Sequence, residues 1–297
     1  MHSLSPPVTV AQLTTFLAVV ETGSVRAAAA QLVVSESAVS AAVSALGRHL
    51  GVALLEREGR GVRSTPAGLS FAPYARRVLG LLIEGAAAAR AGLDPAVGTV
   101  RIAAVTTAAE QVLPDLLAAF RTDYPAVEVR LQVADNRSVW AAFDSHEVDV
   151  VLAGRPPETL ADAHTRGFRA NRLLAVGAPG AAVDLPSSTW LIREAGSGTR
   201  ATLEALLQAR DLHPPLLHMG SSGAVVAGSV AGLGLALVAE DAVRLHLETG
   251  ALVEVPAFAD QSMHRPWHLV THQEYPLTAR LFVEFLLSQA RLAFDRL

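Results

Sequence analysis

Apolar positions in the first 64 residues recur at helical spacing in three short bursts. Leu13, Phe16, Leu17 and Val20 share one face of a predicted helix. Thr9 and Gln12 open it with a capping-box pattern, each side chain satisfying a backbone donor of the first turn. Gly23 ends it, and Ser24 caps a second helix over residues 25–32, dominated by four consecutive alanines. A turn of Val33, Val34, Ser35 and Glu36 leads into a third helix running to about Leu50. Its buried stripe is Val39, Val43, Leu46 and Leu50, and Gly51 is its stop. The opposite stripe, Ser37, Ser40, Ala41, Ser44 and Arg48, is small or polar throughout.

Two short helices with alanines at the crossing and a brief turn predict a helix-turn-helix, because a close crossing excludes larger side chains. The second helix of such a pair enters the major groove with its N-terminal residues near base edges. Two strand-like pieces around Glu58, Gly59, Arg60 and Gly61 predict a hairpin wing, whose Arg57, Arg60 and Arg63 reach flanking phosphates. Thr65 and Pro66 then open a longer helix to about Arg90. Leu69, Ala72, Ala75, Leu79, Leu82 and Ala86 make a seam along it suited to a second copy, with Pro73 as a kink.

A glycine- and proline-bearing linker, residues 91–98, follows. Beyond it strand-like runs (100–105, 127–133, 148–153, 172–178, 190–193, 233–238, 252–255 and 267–271) alternate with helical stretches (107–121, 138–146, 199–210 and 222–231). That alternation predicts an α/β fold with a mainly parallel sheet.

The length of 297 residues fits two domains, and 51% hydrophobic residues suffice for sizeable cores. The chain has no cysteine, which excludes disulfides, thiolate metal sites and cysteine nucleophiles and suits a cytoplasmic location. The opening residues lack a basic segment followed by an apolar one, so an unexported protein is expected, and no stretch reads as a membrane span. All 24 basic residues are arginine. Residues 1–96 carry 8 arginines and 6 acids and the remainder 16 and 22, so only the front end is basic.

The chain resembles a LysR-type transcriptional regulator over nearly all its length. The resemblance is carried by Phe16 to Ser24, Ala27 and Ala28 to Leu32, Ser35-Glu36-Ser37-Ala38-Val39-Ser40, Leu50-Gly51-Val52, Leu54-Leu55-Glu56-Arg57 and Ser64-Thr65-Pro66-Ala67-Gly68. It implies a mixed α+β and α/β chain in three parts. Residues 1–64 form a winged helix-turn-helix and residues 65–92 a dimerising linker helix. Residues 98–297 form a periplasmic-binding-protein-like effector domain, with one subdomain at 98–171 plus 266–297 and the other at 172–265. The implied partners are double-stranded DNA at an interrupted dyad operator, a small effector, and further copies in a homodimer and homotetramer, with RNA polymerase as a candidate contact. The family often has Gln where Glu36 stands and a basic residue where Ala41 stands, so operator sequence does not carry over. The effector half is also similar to the carbon-fixation branch through Arg193-Glu194-Ala195-Gly196-Ser197-Gly198-Thr199-Arg200, with Ala195 where that branch typically has Pro.

For DNA the expected contacts are Ser35, Glu36, Ser37 and Ser40 near base edges and Arg26, Arg57, Arg60 and Arg63 on phosphates. In the effector half, four predicted helices begin with small polar residues after strands. Thr106, Thr107, Asn136, Ser197, Gly198, Thr199, Arg200 and Ser222 are the candidate effector contacts. Helix N-termini present unspent N–H groups and a positive dipole end, so a small anion or anionic metabolite is the expected ligand. Ser and Thr are also ordinary helix caps, which is the bland alternative at each position taken singly. His264, His268 and His272 recur every four residues, but the alternating Trp267-His268-Leu269-Val270-Thr271 run reads as a strand, on which they would stand about 13 Å apart. No metal site, cofactor fingerprint or catalytic triad pattern is read, so an enzyme is not expected. A solute-binding protein for uptake is disfavoured by the helix-turn-helix.

Overall fold

The computed structural model describes residues 8–59, 61–91, 94–180, 184–258, 263–289 and 294–296. The chain divides into two compact units, residues 1–87 with 144–147, and residues 88–143 with 148–297.

The front unit opens with α1 (Val10–Thr22), α2 (Val25–Leu32) and α3 (Glu36–Leu50). The Thr9–Gln12 capping box is formed, with Thr9 N donating to Gln12 Oε1 at 3.0 Å and Gln12 N donating to Thr9 Oγ1 at 3.2 Å. Ala28 and Ala29 are buried where α2 crosses its neighbours, and the chain bends by 106° between α2 and α3. The wing follows as β1 (Leu55–Glu58) and β2 (Gly61–Ser64), paired antiparallel. Then comes α4 (Pro66–Ala91). Its first turn lies on the strand leading into the wing. A Cβ on Gly68 would stand 2.0 Å from the Leu54 carbonyl oxygen, so only glycine permits that approach.

The seam expected along α4 is divided between two uses. Ala72 and Ala75 are buried against Leu13, Phe16 and Leu46 in the unit's own core. The large apolar side chains left exposed on it are Leu69, Tyr74, Val78, Leu81, Leu82 and Ile83.

The second unit contains β3 (Gly98–Val105), α5 (Thr106–Gln111), α6 (Leu113–Asp123), β4 (Val127–Ala134), α7 (Asn136–Asp144), β5 (Val150–Ala153) and β6 (His164–Arg169). It continues with β7 (Leu173–Gly177), β8 (Trp190–Ile192), α8 (Gly198–Gln208), β9 (Leu216–His218), α9 (Ser222–Val230), β10 (Leu235–Ala239), α10 (Glu240–Glu248) and β11 (Val253–Glu254). It closes with β12 (Trp267–Thr271), α11 (Leu277–Ser288) and β13 (Asp295–Arg296). Two sheets result, ordered β13-β6-β12-β5-β3-β4 and β11-β7-β10-β8-β9.

The expected mainly parallel sheet is corrected here. β3 runs parallel to β4 and β5, and β8 parallel to β9 and β10, but β12 is antiparallel to β5 and β6, and β7 to β10 and β11. The cause is the chain's passage between the sheets. Residues 169–173 leave the first sheet and residues 263–267 re-enter it beside them, running the other way. Leu173 N donates to Met263 O at 2.9 Å and Arg265 N to Asn171 O at 2.8 Å. The single helix expected at 107–121 is also two, breaking at Val112. Pro114 has no N–H to continue the ladder, and its ring excludes the carbonyl four residues back. A core rich in aliphatic and aromatic side chains spans both sheets, with Trp190, Phe120 and Phe282 fully buried.

Val33, between α2 and α3, holds φ at +57° while 90% exposed. A β-branched side chain in the left-handed region costs about 1–3 kcal/mol, and so open a position recovers none of it through packing. Val33→Asn should stabilise the front unit by about 1 kcal/mol, read as a raised denaturation midpoint with unchanged m.

Candidate functional site

The reading face is built by α3. Ser35 is its N-cap, accepting from Ala38 N at 3.2 Å and sharing a 2.9 Å hydrogen bond with the Ser37 hydroxyl. Glu36, Ser37 and Ser40 are exposed on the first two turns. Arg26, in the first turn of α2, and Arg57, on β1, are exposed as well. Arg63 is placed differently: its guanidinium lies 2.8 Å from Glu56 and 3.6 Å from Glu58, within the wing itself. Arg60 lies outside the described residues.

In the second unit a cleft of about 170 Å³ opens between the two sheets. Thr106, Thr107, Asn136, Ser197, Gly198 and Thr199 all line it. Arg200 and Ser222 do not, which corrects their assignment. The Arg200 guanidinium turns along its own helix, donating to Glu204 Oε1 at 2.9 Å and to the Arg193 carbonyl at 3.1 Å. Ser222 begins α9 but is buried and away from the cleft.

The helix N-termini at the cleft are not equivalent. That of α7 is already occupied, because Asp135 Oδ1 accepts from Ser138 N at 2.8 Å. This hydrogen bond is the main cause holding the Asp135 carboxyl below its usual range. Asn136 is spent too, its Oδ1 accepting from Trp140 Nε1 at 3.2 Å. At α8, Ser197 Oγ accepts from Arg200 N at 3.4 Å, while Gly198 and Thr199, whose first-turn amides have no partner within their own helix, line the cleft. Gly196, at φ +90°, makes the turn into α8, and a Cβ there would press on Asp135 at 2.9 Å.

Three arginines also line the cleft. Arg155 follows the end of β5 and is exposed. Arg193 is buried, paired with Glu194, with its Nη1 3.4 Å from Thr107 Oγ1. Arg265 comes from the returning chain, beside Asn171 and Trp267. With Asp135 and Glu194 also present, the lining holds three guanidinium groups against two carboxylates. A signal for Arg155 existed in its position just after a strand end, where α/β folds place ligands. Asn171 and Arg265 are 94 residues apart and had none.

His268 sits on β12 with its Nδ1 buried and unpartnered among the described residues. Burial, and then the nearby charge of Arg155, push its imidazole below the ordinary histidine range. Its neighbour in the four-residue recurrence, His272, donates from Nδ1 to Asp162 Oδ2 (2.8 Å) and stacks on Phe143.

A winged helix-turn-helix followed by a long helix and a two-sheet unit with a charged cleft defines a ligand-responsive, DNA-binding regulator. The chain belongs to the LysR family of transcriptional regulators. Residues 10–69 match the model "Bacterial regulatory helix-turn-helix protein, lysR family", and residues 94–291 match "LysR substrate binding domain". The RuBisCO operon transcriptional regulator of Allochromatium vinosum is 32% identical over 306 residues, covering 98% of this chain and 99% of that one. Full-length CbnR complexed with target DNA shares the fold at TM-score 0.65 and 23% identity, covering 96% and 100%. The Synechocystis PCC6803 CcmR regulatory domain in complex with 2-PG matches at TM-score 0.59 and 22% identity, over 64% of this chain and 96% of that one. Other relatives, from Sinorhizobium medicae and Rhodospirillum rubrum, are likewise named as transcriptional regulators. Among the described residues no single helix is long and apolar enough to cross a membrane.

The His268 shift has a pH consequence. The unfolded imidazole titrates near ~6.5, whereas the folded one takes its proton only at lower pH. Acidification from about 6.5 downward therefore favours the unfolded chain, and this contribution is lost as pH falls through the folded value. His268→Gln should lower the loss of Tm between pH 7 and pH 5, measured by thermal denaturation across that range.

Proposed function

We propose that the cleft binds a small anionic metabolite, and that its occupancy sets the affinity or spacing of the DNA-binding heads. The observation that carries this is the convergence on one small space of the unspent first-turn amides of α8 with Arg155, Arg193 and Arg265. Amides at a helix N-terminus and guanidinium groups both favour an anion. The volume argues for a compact ligand, since about 170 Å³ is below the ~300 Å³ at which drug-sized pockets begin. CcmR, whose regulatory domain was solved with 2-PG, supplies a chemical precedent for a small metabolite in this fold. A ligand that prefers one arrangement of the two subdomains shifts their equilibrium, and one with no preference shifts nothing.

On DNA, the same reading assigns Ser35, Glu36, Ser37 and Ser40 to base edges and Arg26 and Arg57 to phosphates. Arg63 would join them only on exchanging its carboxylate partners for a phosphate. The exposed Tyr74, Val78 and Leu81, spaced four and three along α4, supply a face for a homodimer, which matches a dyad operator. Assembly of such dimers into a homotetramer, and contact with RNA polymerase, belong to the same proposal.

The test is a panel of phosphorylated, dicarboxylate and inorganic oxyanions, read by thermal shift and then by calorimetry on the full chain. At least one member should raise Tm, with affinity weakened about tenfold or more in Arg155→Gln, a change on an exposed side chain that leaves the unliganded Tm in place. A flat response across the panel removes the anion from the proposal.

A further inference from the structure

A second cavity in the effector-binding unit, of about 540 Å³, lies against β7. The chain passage between the sheets separates it from the cleft. Asn171 and Arg265 line the cleft, whereas the next residues along each passage, Arg172 and His264, line this cavity. That division follows from extended backbone, whose successive side chains point to opposite faces. The interior is apolar: Leu173, Ala175, Val255 and Phe258 are buried and Met263 half-buried. Its mouth is polar and exposed. Arg172 pairs with His264 across the passage, and its Nη2 donates to Glu254 Oε1 at 2.5 Å. Among the described residues lining the cavity, Arg172 is the one guanidinium and Glu254 the one carboxylate.

We propose that this cavity binds a free α-amino acid with an apolar side chain, separately from the anion of the cleft. Charge complementarity at the mouth selects the class. A simple carboxylate would gain Arg172 but set like charge against Glu254. A simple amine would gain Glu254 but face Arg172. A zwitterion satisfies both, its carboxylate on the guanidinium and its ammonium on the carboxylate. The resident ion pair is open to solvent, its side chains 42% and 51% exposed, so it is weak enough to part for such a ligand. The ligand's side chain then enters the apolar interior, which is large enough for leucine or phenylalanine. Phe258 gives that interior a firm wall. Its ring centroid lies 5.4 Å from that of Trp190, and the Arg210 guanidinium stands 5.0 Å over it. Leu173 lines this cavity and the cleft alike, so an occupant of either touches a wall they share.

The test is titration calorimetry on the full chain with L-leucine and L-phenylalanine. Alongside them run their deaminated counterparts (isocaproate and hydrocinnamate), their decarboxylated counterparts (isoamylamine and phenethylamine), and glycine, which lacks the apolar body. At least one of the two amino acids should bind, and its counterparts and glycine should bind about tenfold more weakly or worse, because each leaves one part of the site unmatched. Arg172→Gln and Glu254→Gln, both on exposed side chains, should each weaken that binding about tenfold or more with the unliganded Tm unchanged. Arg155→Gln, in the cleft, should leave it as it is. Three results overturn the proposal: no heat from either amino acid, equal affinity for a deaminated or decarboxylated counterpart, or a loss that follows Arg155→Gln in place of Arg172→Gln. The counterparts are measured on the unaltered chain, so the outcome stands even where a variant folds poorly.

Discussion

The effector-binding unit depends on two chain passages held side by side. Where residues 169–173 and 263–267 cross from one sheet to the other, backbone hydrogen bonds and the Asn171 amide, which donates to the Arg265 carbonyl at 2.9 Å, tie them together. The crossing is thereby paired like a short ribbon, which satisfies backbone groups on both passages. The consequence is spatial. Strand ends from both sheets face one another across the crossing, and α8 presents its first turn to the same opening. The charges of Arg155, Arg193 and Arg265 meet there although they come from three separate parts of the chain.

The front unit works through local constraints instead. Caps at Thr9, Ser24 and Ser35, and left-handed stops at Gly23 and Gly51, fix where each helix begins and ends. Alanines at the α2 crossing and glycines at positions 47 and 68 allow close approaches that any larger side chain would block. The recognition helix is thus short, small-faced and held against its wing, which suits a surface that must lie close to a duplex.

This difference explains what the sequence reveals. Helices α1 to α3 and the wing are legible because caps and periodicity act within a few residues. In the second unit, β6 is not legible: His164–Arg169 reads as polar. It is held as a strand by pairing with β12 and β13, while Arg166 lies over the Tyr275 ring and Arg169 over that of Trp267. The reversal of β12 was invisible for the same reason, since strand direction is set by the crossing rather than by local pattern. At the site, Ser197, Gly198 and Thr199 were legible as a helix start after a strand. Arg265 and Asn171 were not, because their proximity is made by the tertiary path. Arg200 was misplaced because a helical i,i+4 partner, Glu204, competes for its charge.

Asp135 gives the cleft an uneven electrical layout. Its carboxyl, held below its usual range by the start of α7, lies against Gly196 at the turn into α8, so a carboxylate and the first turn of α8 share one wall of the cleft. A side chain at position 196 would be driven into that carboxylate, so a single glycine is what keeps negative and positive partners within reach of each other on one wall of the chamber.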